Sequence, residues 1–262
     1  MGQKVRKREK EKLKVTGDDK TLVSISDANR WLGHYKEGIQ QVEEALGIYK
    51  QLNDISGQAQ SLQQFARLLY AEHYLLDVAE EAALQAINLL PENSEQFQVC
   101  RCYHILGDIC SSQGKREEAV NHFTSALEIA STFNWHSEQF WNHHSLAWLL
   151  SGEDKFDGAH IHIEHAKPHA IYDPYLMGRA MGSQAKILYD ECRFEEAKSE
   201  ALSAVDVFEK LGATDNVEYC RAIIQDIEAL AASGTLDVDG MPLETPPLPT
   251  PVDSPFLAPS TE

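Results

Sequence analysis

Cysteine is scarce and odd in number: Cys100, Cys102, Cys110, Cys192 and Cys220 are the only five in 262 residues, too few for a disulfide framework. Free thiols in a reducing compartment are the expectation. No apolar run approaches the roughly 18 residues of a membrane span, and the first twenty residues pass from charge into polar sequence without the apolar stretch of a signal peptide. The myristoylation pattern that Gly2 would open fails at Arg6, where Ser or Thr is required. Positive charge is also in deficit, with 23 Lys and Arg against 41 Asp and Glu and a net charge of −18, which argues against nucleic acid as a partner of the folded part. There is no P-loop, no Gly-x-Ser-x-Gly elbow and no dinucleotide glycine fingerprint. The composition therefore predicts a soluble cytoplasmic protein without catalytic residues, cofactor or resident metal.

What the sequence does contain is distributed in three regions. Residues 1–20 hold eight Lys and Arg against four acids, residues 21–233 hold 15 against 32, and residues 234–262 hold none against five. In the long middle region, helical hydrophobic stripes recur about forty residues apart. The clearest copy runs from Cys102, Ile105, Leu106 and Ile109 through a turn at Gln113-Gly114 to Ala119, Phe123, Ala126 and Ile129. Glu117 and Glu118 fall in the first turn of the second helix, where carboxylates suit the positive end of the dipole.

Ala126 has counterparts at Ala45, Ala86, Ala166 and Ala204, at spacings of 41, 40, 40 and 38 residues. Seven residues before each stand Gly38, Ala79, Ala119, Ala159 and Ala197, with Val42, Ala83, Phe123, Ile163 and Ala201 between. Two small positions two helical turns apart let a neighbouring helix approach closely, and the larger residue between fills the remaining space. Gly33, Tyr74, Gly114, Asp154 and Cys192 align at the turn, and Tyr35, Leu76, Arg116, Phe156 and Phe194 follow two positions later. An all-α array of five antiparallel helix pairs follows, with a last helix over 218–232 whose Tyr219, Ile223, Ile224, Ile227 and Leu230 cover the exposed end.

Leu106-Gly107, Gly114, Ala119, Phe123 and Ala126 resemble the tetratricopeptide repeat. The resemblance covers about 21–233, with repeats at 21–60, 61–100, 101–140, 141–178 and 179–217 and a cap at 218–232. Against the family's usual repeat of about 34 residues, these copies are similar to the longer forms found in kinesin light chains and in the sensor ends of NB-ARC or NACHT-type regulators. It implies a right-handed superhelical solenoid and a non-enzymatic scaffold or adaptor that binds a protein segment. The alternative it implies is a sensor module working beside a separate NB-ARC or NACHT-type signalling ATPase. Two departures stand out. Arg67 falls where the first helix wants a small residue, a place Ala66 would take if the turn were one residue shorter. Pro168 should end or kink its helix and leave 167–175 irregular.

Stacked hairpins place their first helices along a concave groove, and the register assigns its lining: Arg101, His104 and Asp108, then Trp141, His144 and Trp148, then Arg179 and Lys186. Basic and aromatic side chains side by side suit an extended or helical segment with apolar anchors and carboxylates. The competing reading for Trp141 and Trp148 is packing between repeats. The Lys and Asn set with which some tetratricopeptide proteins clamp a chaperone C-terminus is missing, Val23 and Asp27 standing at the two relevant places of repeat one.

His160, His162, His165 and His169 fall within ten residues, with His143 and His144 nearby. His162, His165 and His169 have a metal-capable helical spacing, which makes a histidine-cluster metal protein a third reading. The register nevertheless buries Ala159, Ile163 and Ala166, places these histidines on the outer side or at the next junction, and Pro168 disturbs their geometry. Cys102 and Cys110 fit a buried stripe.

Seven of the ten prolines sit between 242 and 259, so 234–262 reads as an extended, disordered acidic tail. Thr245, Thr250 and Ser254 each precede proline and are candidate phosphorylation sites. Lys4 to Lys14 holds seven basic and two acidic residues, a pattern of nuclear entry or of an anion-binding patch.

Overall fold

The computed structural model describes residues 18–73, 75–91 and 94–233. The basic run Lys4–Lys14 and the tail with Thr245, Thr250 and Ser254 lie outside them. The described residues form eleven α-helices and one 3₁₀ turn, with no strand: α1 (Asp18–Trp31), α2 (Tyr35–Leu52), α3 (Ile55–Ala71), α4 (Leu76–Leu89), α5 (Gln96–Ser112), α6 (Arg116–Thr132), α7 (His136–Ser151), α8 (Phe156–Ala166), the 3₁₀ turn Lys167–Ala170, α9 (Pro174–Asp190), α10 (Phe194–Leu211) and α11 (Thr214–Ala232). No helix among them is long and apolar enough to cross a membrane.

The helices divide into two units, one of residues up to Ile129 and one from Ala130. In the first unit α1 pairs with α2 and α3 with α4, and the first helices also touch in succession, α1 on α3 and α3 on α5. In the second, α7 pairs with α8 and α9 with α10, α7 packs on α9, and α9 and α10 both pack on α11. The last helix thus covers its neighbours with Tyr219, Ile223 and Ile227, all buried. It begins at Thr214, four residues before the expected cap.

The small-residue ladder explains why the helices can lie this close. Val42, Ala45, Ala79, Ala83, Ala86, Ala119 and Ala126 in the first unit and Ala159, Ile163, Ala166, Ala197, Ala201 and Ala204 in the second are wholly inaccessible, and Phe123 is 1% exposed. A Cβ placed on Gly38 would stand 2.8 Å from Leu68 Cδ2. Elsewhere the fit is glycine against ring: a Cβ on Gly107 would stand 2.5 Å from the Phe123 ring, and one on Gly57 would run into the Tyr49 ring.

Turn geometry bears out the repeat register. Gly33 (φ 73°), Gly114 (φ 74°), Asp154 (φ 58°) and Cys192 (φ 64°) are all left-handed, so one aligned position reverses the chain in four hairpins. Glycine adopts this conformation without steric cost, whereas Asp154 and Cys192 bear it at some expense. The fifth counterpart, Tyr74, lies outside the described residues. Its neighbours His73 (φ 50°) and Leu75 (φ 53°) are left-handed instead, and the connection 72–75 is one residue longer than 113–115. That corrects the expected shorter turn: the extra residue moves Ala66, fully buried, into the small position and leaves Arg67 beside it.

The first helices begin at Ile55, Gln96, His136 and Pro174, five or six residues before the expected boundaries at 61, 101, 141 and 179. At α3 and α9 the start is fixed by a capping aspartate. Asp54 accepts from Gly57 N at 3.0 Å, and Asp173 accepts from Tyr175 N at 2.9 Å and Leu176 N at 3.2 Å. Asp173→Ala should cost about 0.5–2 kcal/mol in urea unfolding. Pro168 acts as expected, since α8 stops at Ala166 and continues only as a 3₁₀ turn.

Candidate functional site: the first-helix faces

In the first unit, three successive first helices bring Asp27 and Arg30, Gln64 and Arg67, and Arg101, His104 and Asp108 together. Arg30 reaches Asp27 Oδ1 with Nε and Nη2, each at 3.2 Å, Gln64 Nε2 donates to the same oxygen at 3.1 Å, and Arg67 Nη1 lies 3.7 Å from it. Burial alone would raise the Asp27 carboxyl, but the guanidiniums of Arg67 and Arg30 and the Gln64 hydrogen bond hold it below the usual range. His104 Nε2 stands 3.5 Å from Asp108 Oδ2, and burial pushes the Asp108 carboxyl upward against the pull of His104 and Arg67. Arg101 lies 5.6 Å over the Phe97 ring.

The second unit builds an aromatic counterpart. The guanidinium of Arg179 lies 5.0 Å from the centroid of Trp141, which also meets Phe140 and His144 edge-on. Trp148 Nε1 donates to Ser183 Oγ at 3.1 Å, and that hydroxyl lies 2.8 Å from His144 Nε2. Lys186 Nζ donates to Asp190, whose carboxyl burial raises and this contact draws back.

Of the eight lining residues read from the register, Arg101, His104, Asp108, Trp141 and Trp148 are half-buried and keep an accessible edge. His144 (4% exposed), Arg179 (6%) and Lys186 (9%) are instead buried behind them. Burial pushes the Arg179 guanidinium down to about 10, with Tyr175 pulling the other way. Trp148 packs between α7 and α9 through Ser183, and neither indole is fully enclosed. Asp27, Arg30, Gln64 and Arg67 were not assigned to the face from sequence. The available signal was Arg67 itself, a charge in a slot built for a small side chain.

The histidines lie at helix junctions, one of the two places the register allows: His160 meets Glu191 and Gln184 of α9, and His136 and His143 of α7 close on the others. His143 Nδ1 and His162 Nδ1 are 3.0 Å apart, as are His136 Nδ1 and His169 Nδ1 at 3.1 Å, and His143 also contacts the rings of His165 and His169. Among the described residues no three His, Cys, Asp or Glu side chains form a group that could hold a metal ion. Burial first, then His162, His165 and His169, push the His143 imidazole down to about 4, and His162 and His169 are lowered as well.

The tetratricopeptide-repeat family model matches residues 101–133. No curated protein matches the chain in sequence. Among solved structures, the fold is similar to a Rap protein complexed with competence and sporulation factor (TM-score 0.61, 16% identity, covering 87% of this chain and 69% of that one). It is also similar to aspartyl phosphate phosphatase F from Bacillus subtilis (TM-score 0.58, 12% identity, 87% of this chain and 62% of that one). A third is a kinesin light chain-type array of tetratricopeptide-like repeats from Podospora anserina (TM-score 0.58, 13% identity, 75% of this chain and 98% of that one). The chain therefore spans less than two thirds of the length of the phosphatase F structure. The fold is that of tetratricopeptide-like helical repeat proteins, and residues 101–133 also match the repeat's family model in sequence.

Proposed function

We propose that this chain is a non-enzymatic scaffold that binds a peptide or helical segment of a protein partner along its first-helix faces. The observation that carries this reading is the stacking of successive first helices within each unit. It gathers guanidiniums around Asp27 and Asp108 in one unit and sets Trp141 and Trp148 beside buried Arg179 in the other. Such faces are preorganised, because their side chains are already held by packing and hydrogen bonds, and a ligand that lands on them orders little else. That a Rap protein of similar fold was crystallised with a competence and sporulation factor supports a peptide as the kind of ligand. His144 and Arg179 act here by positioning Trp141 and Trp148, Lys186 is engaged by Asp190, and Arg101, His104 and Asp108 touch the segment directly.

The test is capture of a partner from source-cell extract by the immobilised full chain, alongside Trp148→Ala and Arg101→Ala variants with matched circular dichroism. An identified partner should lose at least tenfold in affinity to one variant, as truncation of a Trp or Arg hot spot costs about 2 kcal/mol or more. Equal affinity for the parent and both variants removes the reading.

A further inference from the structure

The polar cluster of the first unit has an unusual charge pattern. Asp27, Arg67 and Asp108 each follow the buried small residue of their helix (Ser26, Ala66 and Gly107), so they occupy one equivalent position in three stacked first helices. The sign alternates along that row, with Arg67 between two carboxylates. Arg30 and Arg101 then add two further guanidiniums. One oxygen of Asp27 serves Arg30, Gln64 and Arg67 together, and Asp108 is pushed toward its neutral form by burial. No carboxylate among the described residues pairs with Arg101. A network that served stability alone would match its charges, since arginine scarcely sheds its proton and like charges held together oppose folding. Desolvation, with Arg30 and Arg101 behind it, pushes the Arg67 guanidinium down to about 9. A surplus of positive charge on the partner-facing side of a chain of net charge −18 is complementary to one kind of ligand group.

We propose that Arg67 and Arg101, backed by Arg30, form a docking point for a carboxylate of an acidic peptide segment, so that the partner of the first unit carries Asp or Glu where it crosses α3 and α5. The planar guanidinium fork matches a carboxylate through two parallel hydrogen bonds, and the neighbouring Arg30 already donates through Nε to a carboxylate oxygen of Asp27. An incoming carboxylate would meet Arg101 without displacing an existing ion pair and would relieve the repulsion at Arg67. This inference rests on the peptide-binding reading and assigns the chemistry of one of its contacts.

The probe is hexaglutamate, titrated into the full chain at constant ionic strength while the arginine Nε–H resonances are followed by NMR. The Arg67 and Arg101 resonances should shift and saturate. Arg101→Gln, with circular dichroism matching the parent, should weaken the response at least fivefold, and Arg101→Lys should keep only part of it. Hexaglutamine should leave the resonances in place, as should inorganic phosphate. A phosphate response equal to that of hexaglutamate overturns the carboxylate assignment. Shifts confined to Lys4–Lys14, an undiminished response in Arg101→Gln, or no saturable shift overturn the site. If any of these occurs while the identified partner is still captured in a Trp148- or Arg101-dependent way, only the carboxylate anchor falls. Loss of that dependence removes the broader reading.

Discussion

Phe123→Ala should destabilise the protein by about 3–5 kcal/mol, read as a lowered urea midpoint, because it empties a site that is 1% exposed at the centre of the third hairpin. The ring lies over Gly107, and the backbone of α5 can come this near α6 only because position 107 has no side chain. Gly107→Ala should therefore be harmful despite alanine's better helix propensity. The added methyl would stand 2.5 Å from the ring, and overpacking of this kind costs about 1–3 kcal/mol against the ~1 kcal/mol that alanine returns in a helix. A double-mutant cycle makes the test specific. In a Phe123→Leu background the space over Gly107 opens, and Gly107→Ala should become neutral or stabilising. Equal cost in both backgrounds would mean that the strain lies elsewhere in the helix.

Acid should weaken the second unit through its histidines. In the folded chain His143, His162 and His169 resist protonation, each first because of burial and then because other imidazoles stand beside it. Each close Nδ1 pair needs one bare nitrogen to accept, so neither pair can hold two full imidazoliums. The unfolded chain takes up these protons near the ordinary histidine pKa of about 6.5, so between there and about 4 it binds more protons than the folded one. Stability is then complete above about pH 7, falls as pH drops through 6 and 5, and levels off once His143 is protonated in both states. For His143 the loss should be about 1–3 kcal/mol, reduced from the full linkage value because the ring is only half-buried. Asp108 and Asp190, whose carboxyls are raised, push the other way, so the measurement is a comparison. Thermal melting from pH 7.5 to 4.5 should fall more steeply for the parent than for His143→Gln, and parallel curves would exclude the cluster as the cause.

Much of the architecture is legible in the order of residues because a repeat states its geometry several times. One alanine position, recurring at intervals near forty and paired with a small residue two turns earlier, identifies the second helices, and the aligned turn residues prove left-handed in four hairpins. Tight packing between helices is a local demand on side-chain volume, and volume is written in the sequence directly. Helix starts were less legible, because they depend on caps and left-handed residues such as Asp54 and Glu95, which carry no apolar period.

The proposed binding face was legible only in outline. Helical register shows which side of a helix turns inward, hence Arg101, Trp141 and Trp148, but not how deep a side chain sits, so His144, Arg179 and Lys186 were placed on a surface from which packing withdraws them. Arg67 shows why. Its meeting with Asp27 and the approach of Arg30 and Arg101 join residues up to 40 positions apart and depend on one extra residue in the connection 72–75. The pairing of His143 with His162 likewise needs two helices to close on each other. Periodicity along the chain settles which residues face the core; charges and imidazoles interact across helices, so their partners are known only once the helices are stacked.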